Sequence, residues 1–141
     1  MITVPRELLG RDVDLGEVTV TAEMIATYAR AVGDDETLAG SLHEAPPTFC
    51  LVLRRGMTPE IELPPGMFGV YGGHDMEFHQ AIRTGETYRI SARITDVFEK
   101  SGRTGALTVV VREADIRDQR GELVTRVIEH QIVRQRGSQD R

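Results

Sequence analysis

Two short stretches of the chain carry the side chains best suited to acid–base chemistry. Asp34, Asp35 and His43 lie in a polar segment that follows a predicted helix. His74 and Asp75 come directly after two glycines, at the mouth of a predicted strand. Histidine is the side chain that most often transfers protons near neutral pH, and a neighbouring carboxylate can assist it. We therefore consider His43 with Asp34 or Asp35, and His74 with Asp75, as candidate catalytic groups.

Each candidate also has an ordinary structural interpretation. Asp34 and Asp35 are typical of the polar residues that follow a helix end. A histidine in a polar loop, such as His43, is usually exposed to solvent. His74 and Asp75 are equally suited to beginning a strand, so residue type alone leaves catalytic and structural roles open.

The remaining reactive side chains argue against metal and thiol chemistry. Cys50 is the only cysteine, which excludes an internal disulfide and a multi-cysteine zinc site. It lies in an apolar run, where a thiol is ordinary packing. The four histidines are scattered without the paired spacing of metal ligands, so we predict no metal. His79 alternates with Phe78 and is expected to be structural.

Length and charge limit the size of the protein and its partners. The 141 residues suit one domain. A net charge of −5 supplies no basic surface for nucleic acid or anionic membrane. The single cysteine suits a reducing compartment, and residues 1–9 do not have the pattern of a signal peptide. The sequence has no run of about 18 apolar residues, the length that a membrane-spanning helix needs. We therefore expect a cytoplasmic protein with a soluble partner or a small ligand.

The first third of the chain predicts a short strand followed by a helix. Residues 17–20 alternate as a strand does. Thr21 is a suitable N-cap and Gly33 a suitable end for a helix over 22–32. A polar loop is expected over 34–44.

A second, very apolar helix is predicted over 48–55. Pro46 and Pro47 precede it, and proline is favoured at a helix start. Because the run is apolar on every side, this helix must be surrounded by other structure. Prolines and a glycine then predict an irregular loop over 57–67.

The rest of the chain predicts long antiparallel strands over 76–82, 87–100, 103–116 and 122–135. In the second of these, the apolar residues predicted to share one face are Tyr88, Ile90, Ala92, Ile94 and Phe98. Helices early and strands late indicate an α+β fold. A sheet wrapped around one buried helix is the hotdog arrangement, predicted here as one domain over 1–136 with a disordered tail over 137–141.

Seven short motifs spread over most of the chain resemble the MaoC-like hotdog hydratases and dehydratases, in particular their N-terminal, FAS1-like dehydratase-type half. They are VGDD (32–35), APPTF (45–49), YGG (71–73), EFH (77–79), IRTGE (82–86), VFEKSGR (97–103) and VRE (111–113). The resemblance implies an acyl thioester ligand, carried on coenzyme A or on the phosphopantetheine of an acyl carrier protein, with no other cofactor. It also implies a dimer of hotdogs, and an activity that adds or removes water across the C2–C3 bond.

The residues expected to contact the substrate are Pro47, Thr48, Tyr71, Gly72, Gly73 and Asp75. Arg54 and Arg55 are suited either to closing the central helix or to meeting a phosphate of the carrier.

Two catalytic elements of active relatives are missing from this chain. Their Asp is followed five positions later by a His, whereas the corresponding positions here are Ala39 and Gly40. Their central helix begins with a motif similar to Ala-His-Gly, whose glycine N–H holds the thioester oxygen. Here Pro47 replaces that glycine, and proline has no N–H to donate.

Three functions remain open. The chain can be a non-catalytic acyl-binding half that pairs with a separate catalytic hotdog subunit. It can instead be a homodimeric enzyme with a rebuilt site that dehydrates, isomerises or cyclises a polyketide thioester. A hotdog thioesterase ranks below both, because such an enzyme needs a carboxylate on or facing the central helix and 48–55 contains none.

Overall fold

The computed structural model describes residues 4–103 and 105–137. Its elements, in chain order, are β1 (Val13–Thr19), α1 (Ala22–Val32), α2 (Asp35–Ala39), a 3₁₀ turn (Pro47–Phe49) that leads into α3 (Cys50–Arg54), β2 (Met67–Phe78), β3 (Thr87–Gly102), β4 (Gly105–Arg117) and β5 (Leu123–Gln135). The five strands form one antiparallel sheet in the order β1-β3-β4-β5-β2. The predicted α+β class is therefore confirmed.

Helix α1 has the predicted bounds, and its caps explain them. The Thr21 hydroxyl accepts a hydrogen bond from the Met24 N–H at 3.2 Å. Gly33 ends the helix in the left-handed region, at φ 73°, where glycine carries no steric penalty. Ile25 and Ala29 are fully buried against the rest of the domain.

The core forms where the sheet packs on the short central helical segment, residues 47–54. Phe49, Cys50 and Leu53 are at most 1% exposed and pack with apolar side chains of β3, β4 and β5. The prediction of one helix against the sheet is confirmed, but the α-helix proper covers only five residues. Arg55 adopts φ 55° and stops the helix, and Val52 remains 41% exposed rather than surrounded.

The second strand was predicted in the wrong place, over 76–82. It begins at Met67, ends at Phe78 and pairs with β5 on both sides of a bulge. The sequence pattern predicts no element over 68–75, because glycine is disfavoured inside strands, but here the glycines serve an edge strand with a bulge between Tyr71 and His74. A Cβ atom at Gly72 would lie 2.9 Å from Cγ1 of Ile132, so only glycine fits this close approach.

Two further predictions need correction. Part of the expected loop over 34–44 is the helix α2, because Asp34 caps a helical turn. In β3 a bulge between Ile94 and Asp96 shifts the alternation of faces. Val97, and not Phe98, therefore packs beside Ile94 in a second apolar cluster.

The opposite face of the sheet carries a network of charged side chains around Asp115. Its carboxylate accepts hydrogen bonds from Arg126 at 2.8 Å and from Arg93 at 3.2 Å, and it is buried. Burial alone would raise the pKa of this carboxyl, but the hydrogen bonds from both arginines outweigh burial and lower it.

The proposed limits of the domain, 1–136, and of the tail, 137–141, stay predictions. Residues 1–3 and 138–141 lie outside the described residues, and Gly137 is exposed.

Candidate functional site

A cavity of about 350 Å³ opens where the chain enters the central helical segment. Its lining residues are Glu44, Ala45, Pro46, Pro47, Phe78, His79, Gln80, Ala81, Ile82 and Thr125. Two backbone contacts fix its walls. The Ala45 N–H donates to the Ile82 carbonyl at 2.8 Å, and the His79 N–H donates to the Val124 carbonyl at 2.9 Å.

The floor of this cavity has fewer hydrogen-bond donors than a helix start usually offers. Pro47 is the first residue of the 3₁₀ turn and has no N–H. The Phe49 N–H donates to the Pro46 carbonyl, so it too is occupied. The Thr48 hydroxyl is 2.5 Å from the Tyr28 hydroxyl and ties α1 to the central segment. Of the expected substrate contacts, Pro47 is the one that lines this cavity.

The carboxylates of the first candidate pair do not meet an imidazole. Asp34 caps α2, and its carboxylate accepts from the Thr37 N–H at 3.0 Å and from the Thr37 hydroxyl at 2.6 Å. These hydrogen bonds lower the pKa of Asp34, which makes it a poor base. Asp35 is exposed. Within the described part of the chain, no hydrogen bond or ion pair joins either carboxylate to His43.

His43 is exposed and borders a different cavity, of about 420 Å³, with residues 37 and 40–44. Glu44 lies on both cavities. A still larger cavity, of about 490 Å³, lies between α1 and Val52, and none of the predicted site residues lines it.

The second candidate pair is split by the geometry of β2. Successive strand residues point to opposite faces, so His74 and Asp75 diverge. His74 is paired in register with Glu129, its ring lies 5.6 Å from the Tyr71 ring, and its Nδ1 is buried without a hydrogen-bond partner. Asp75 is exposed, and its Oδ2 lies 3.9 Å from Nε2 of His130. His74 and Asp75 therefore do not form a dyad.

The two glycines of this stretch have different structural uses. Gly72 faces Ile132 at close range, and Gly73 adopts φ 119° at the bulge, a conformation that other residues rarely adopt. Both therefore shape β2, and their expected contact with substrate stays a prediction.

Arg54, which the sequence suggested for the helix end or a phosphate, belongs to a buried polar cluster at the far end of the central segment, and the other members of this cluster were not predicted. Arg54, Arg112 and Glu129 are each at most 7% exposed, and Gln131 lies beside them. Arg112 occupies the same alternating face of β4 as the buried Ala114. That alternation was the available signal, because an arginine at a core position is rare and calls for a partner.

The thiol of Cys50 is fully buried and lies 3.4 Å from the Met76 sulfur. Burial raises the pKa of Cys50 to about 11, so the thiol stays protonated and unreactive at neutral pH.

No helix in the described residues is long and apolar enough to cross a membrane.

Comparison with solved structures finds the same fold in hydratase and dehydratase proteins. A MaoC-like dehydratase from Rhodospirillum rubrum is 19% identical over 92% of this chain and 94% of its own, with a TM-score of 0.60. The C-terminally truncated HadBC complex, a (3R)-hydroxyacyl-ACP dehydratase from Mycobacterium tuberculosis, is 20% identical over 89% and 96%, with a TM-score of 0.63. A hot-dog-like protein from Thermanaerovibrio acidaminovorans is 15% identical over 92% and 86%, with a TM-score of 0.60.

No curated protein sequence matches the chain. The structural likenesses confirm the predicted hotdog fold. The model of the FAS1-like, dehydratase domain region matches residues 7–127, which is most of the chain. The predicted resemblance is thereby confirmed, and the protein belongs to the FAS1-like dehydratase domain family of hotdog proteins.

Proposed function

We propose that the protein binds an acyl thioester, carried on coenzyme A or an acyl carrier protein, as the non-catalytic half of a (3R)-hydroxyacyl dehydratase or enoyl hydratase system. The observation that carries the proposal is the cavity at the start of the central segment, closed by Pro46 and Pro47. Its apolar lining, from Phe78, Ala81 and Ile82, suits an acyl group.

The missing catalytic groups support a binding role over a catalytic one. Hydration of an enoyl thioester needs a general base, a general acid and donors for the thioester oxygen. Proline at position 47 removes one backbone donor, and the loss of one such donor typically costs about 10²–10³ in rate. Loss of an acid–base pair costs about 10²–10⁴ more. Asp34 is engaged by Thr37 and gives no replacement base.

The edge strand β2 supports a second hotdog subunit as the partner. Among residues 4–103 and 105–137, no strand lies along one side of its 12 residues, and Val70, Tyr71 and Phe78 are 40–51% exposed along it. A long, apolar edge strand is an aggregation hazard unless another chain covers it. The HadBC dehydratase, which shares the fold, is a complex. We therefore favour a heterodimer with a catalytic hotdog subunit, and the alternative is a homodimer.

One observation favours the alternative of a homodimer with a rebuilt site. His79 and Glu44 both line the cavity and are exposed, so an imidazole and a carboxylate are available there. In that case the chain itself dehydrates, isomerises or cyclises a polyketide thioester, with His79 as the proton-transfer group.

Binding of butyryl-CoA, measured by isothermal titration calorimetry, tests the proposal. Butyryl-CoA has no double bond to hydrate, so the measurement isolates binding from turnover. Ala81 lines the cavity, and an Ala81→Trp variant places a bulky side chain at its wall. We expect this variant to lose binding by about tenfold or more, which corresponds to roughly 1.4 kcal/mol.

The matched control is Ala106→Trp, because Ala106 is an exposed strand alanine at the tip of the β3–β4 hairpin. It should bind like the wild type. Equal affinity in both variants would place the acyl group elsewhere, and no binding by the wild-type chain would overturn the proposal.

A further inference from the structure

We propose that the buried arginine pair, Arg54 and Arg112, forms a binding site for a small oxyanion, a carboxylate or a phosphate, at the end of the central segment opposite the acyl cavity. This site is independent of the proposed function. The central segment spans eight residues, so about 12 Å of helix separates its two ends.

The two guanidinium groups are held from several sides. Arg54, the last residue of α3, donates from Nη2 to the Thr58 carbonyl at 2.8 Å, and the same nitrogen lies 3.3 Å from Oε2 of Glu129. Arg112, on β4, donates from Nε to the Pro59 carbonyl at 2.8 Å and from Nη1 to Oε1 of Gln131 at 2.7 Å. These contacts fix both planar groups beneath residues 57–61.

The charges of the cluster do not balance. Two guanidinium groups face one buried carboxylate, that of Glu129, while the second carboxylate that acts on Arg112, that of Glu60, is exposed to solvent, so the buried part of the cluster carries an excess of positive charge. Burial lowers the pKa of both arginines, and the charge of Arg54 lowers that of Arg112 further. Arginine nevertheless remains charged at neutral pH. An excess buried charge is unfavourable unless a counter-ion approaches it.

Some N–H donors of the cluster also lack a hydrogen-bond partner. Nε and Nη1 of Arg54 are buried and have no hydrogen-bond partner. Buried donors without partners are rare in folded proteins and call for an explanation, such as a bound water or ion. In the part of the chain that the structure describes, Nη2 of Arg112 and Nε2 of Gln131 also make no hydrogen bond.

A cavity reaches the Arg112 and Gln131 side of this cluster. It has a volume of about 250 Å³ and is lined by Met57, Glu60, Ile61, Arg112 and Gln131. This volume exceeds the roughly 15 Å³ that one water requires and is below the roughly 300 Å³ typical of drug-sized ligands. Glu60 is exposed to solvent at its rim, so water screens its charge. The opening therefore admits a small ion to Arg112.

The chemistry of the donors selects the class of ligand. Guanidinium groups present N–H donors in a planar fork that matches carboxylate and phosphate oxygens, and such charge-assisted hydrogen bonds are the strong ones. Chloride is a single atom and cannot accept two parallel N–H hydrogen bonds at two oxygens as these groups can. We therefore expect oxyanions to bind and chloride to bind far more weakly.

Titration of the full-length chain, labelled with ¹⁵N, tests the site. The arginine Nε–H resonances of Arg54 and Arg112 are followed by NMR while malonate, phosphate or chloride is added at constant ionic strength. We expect a saturable shift with malonate or with phosphate, and the tighter of the two identifies the source as a carboxylate or a phosphate. Chloride should give no saturable shift.

A matched pair of variants makes the test specific. Arg112→Lys keeps the positive charge but loses the fork, and we expect at least about tenfold weaker binding. Arg120→Gln removes an exposed arginine, 73% exposed, and should leave binding unchanged. Absence of a saturable shift with both oxyanions, or equal affinity in Arg112→Lys, would overturn the proposal. If Arg112→Lys does not fold, the wild-type titration alone decides.

Discussion

Replacement of Glu129 by glutamine leaves the buried guanidinium of Arg54 without the carboxylate that faces it. Glutamine has nearly the same shape as glutamate, so the change removes charge and conserves packing. The side chains of Arg54 and Glu129 are only 2% and 9% exposed, so water cannot readily replace the lost partner.

The separation of the charged atoms sets the expected magnitude. Nη2 of Arg54 lies 3.3 Å from Oε2 of Glu129. At an effective dielectric constant of about 20, Coulomb attraction at this separation is about 5 kcal/mol. In the wild type, desolvation of both groups offsets much of this attraction. The variant keeps the desolvated arginine and loses the attraction, so we expect the free energy of unfolding to fall by about 3–5 kcal/mol.

Urea unfolding at pH 7, followed by circular dichroism, measures this loss. The control is Glu60→Gln, because Glu60 is an exposed carboxylate that also acts on Arg112. The control should change stability by less than about 0.5 kcal/mol. A loss below about 1 kcal/mol in Glu129→Gln would contradict the reasoning, because it would mean that solvent already screens the pair.

Three further outcomes are expected. The lowered pKa of Asp115 means that its ion pairs stabilise the fold above the ordinary carboxyl pKa of about 3.9 and lose that effect as pH falls below it. The difference in free energy of unfolding between wild type and Asp115→Asn, measured by urea unfolding between pH 7 and pH 3, should therefore shrink toward acid, and a constant difference would refute this. With a pKa of about 11, Cys50 should react with a disulfide reagent only after unfolding in urea, and rapid modification of the native chain would contradict its burial. Gly72→Ala should lower the free energy of unfolding by about 1–3 kcal/mol, because the added Cβ would clash with Ile132. The control Gly40→Ala, at an ordinary φ of −86°, should leave stability nearly unchanged, and equal effects of the two changes would contradict the close approach.

The parts of the fold that follow from local pattern were predictable from sequence. Helix α1 has both of its caps in the sequence, and β3 and β5 have clear alternation or long apolar runs. The start of β2 could not be placed, because glycine is disfavoured inside strands and the sequence alone does not show that β5 lies beside residues 69–73. The bulge in β3 was equally hidden, since one extra residue changes every following face without changing composition.

The site was only partly predictable for a related reason. Sequence can name Asp34, His43, His74 and Asp75 as reactive types, but it cannot show that strand geometry turns His74 and Asp75 apart. Nor can it show that Thr37 occupies the carboxylate of Asp34. The pairing of Arg54 with Glu129 joins residues far apart in the chain, so it appears only in three dimensions.

Hydration of crotonyl-CoA by the purified chain tests the central claim most directly. The loss of enoyl thioester absorbance is followed while light scattering on the same sample reports the oligomeric state. We predict no turnover by the chain alone, together with retained binding of butyryl-CoA. Turnover by a homodimer, abolished by His43→Ala or His79→Ala, would contradict a non-catalytic role and identify a rebuilt active site.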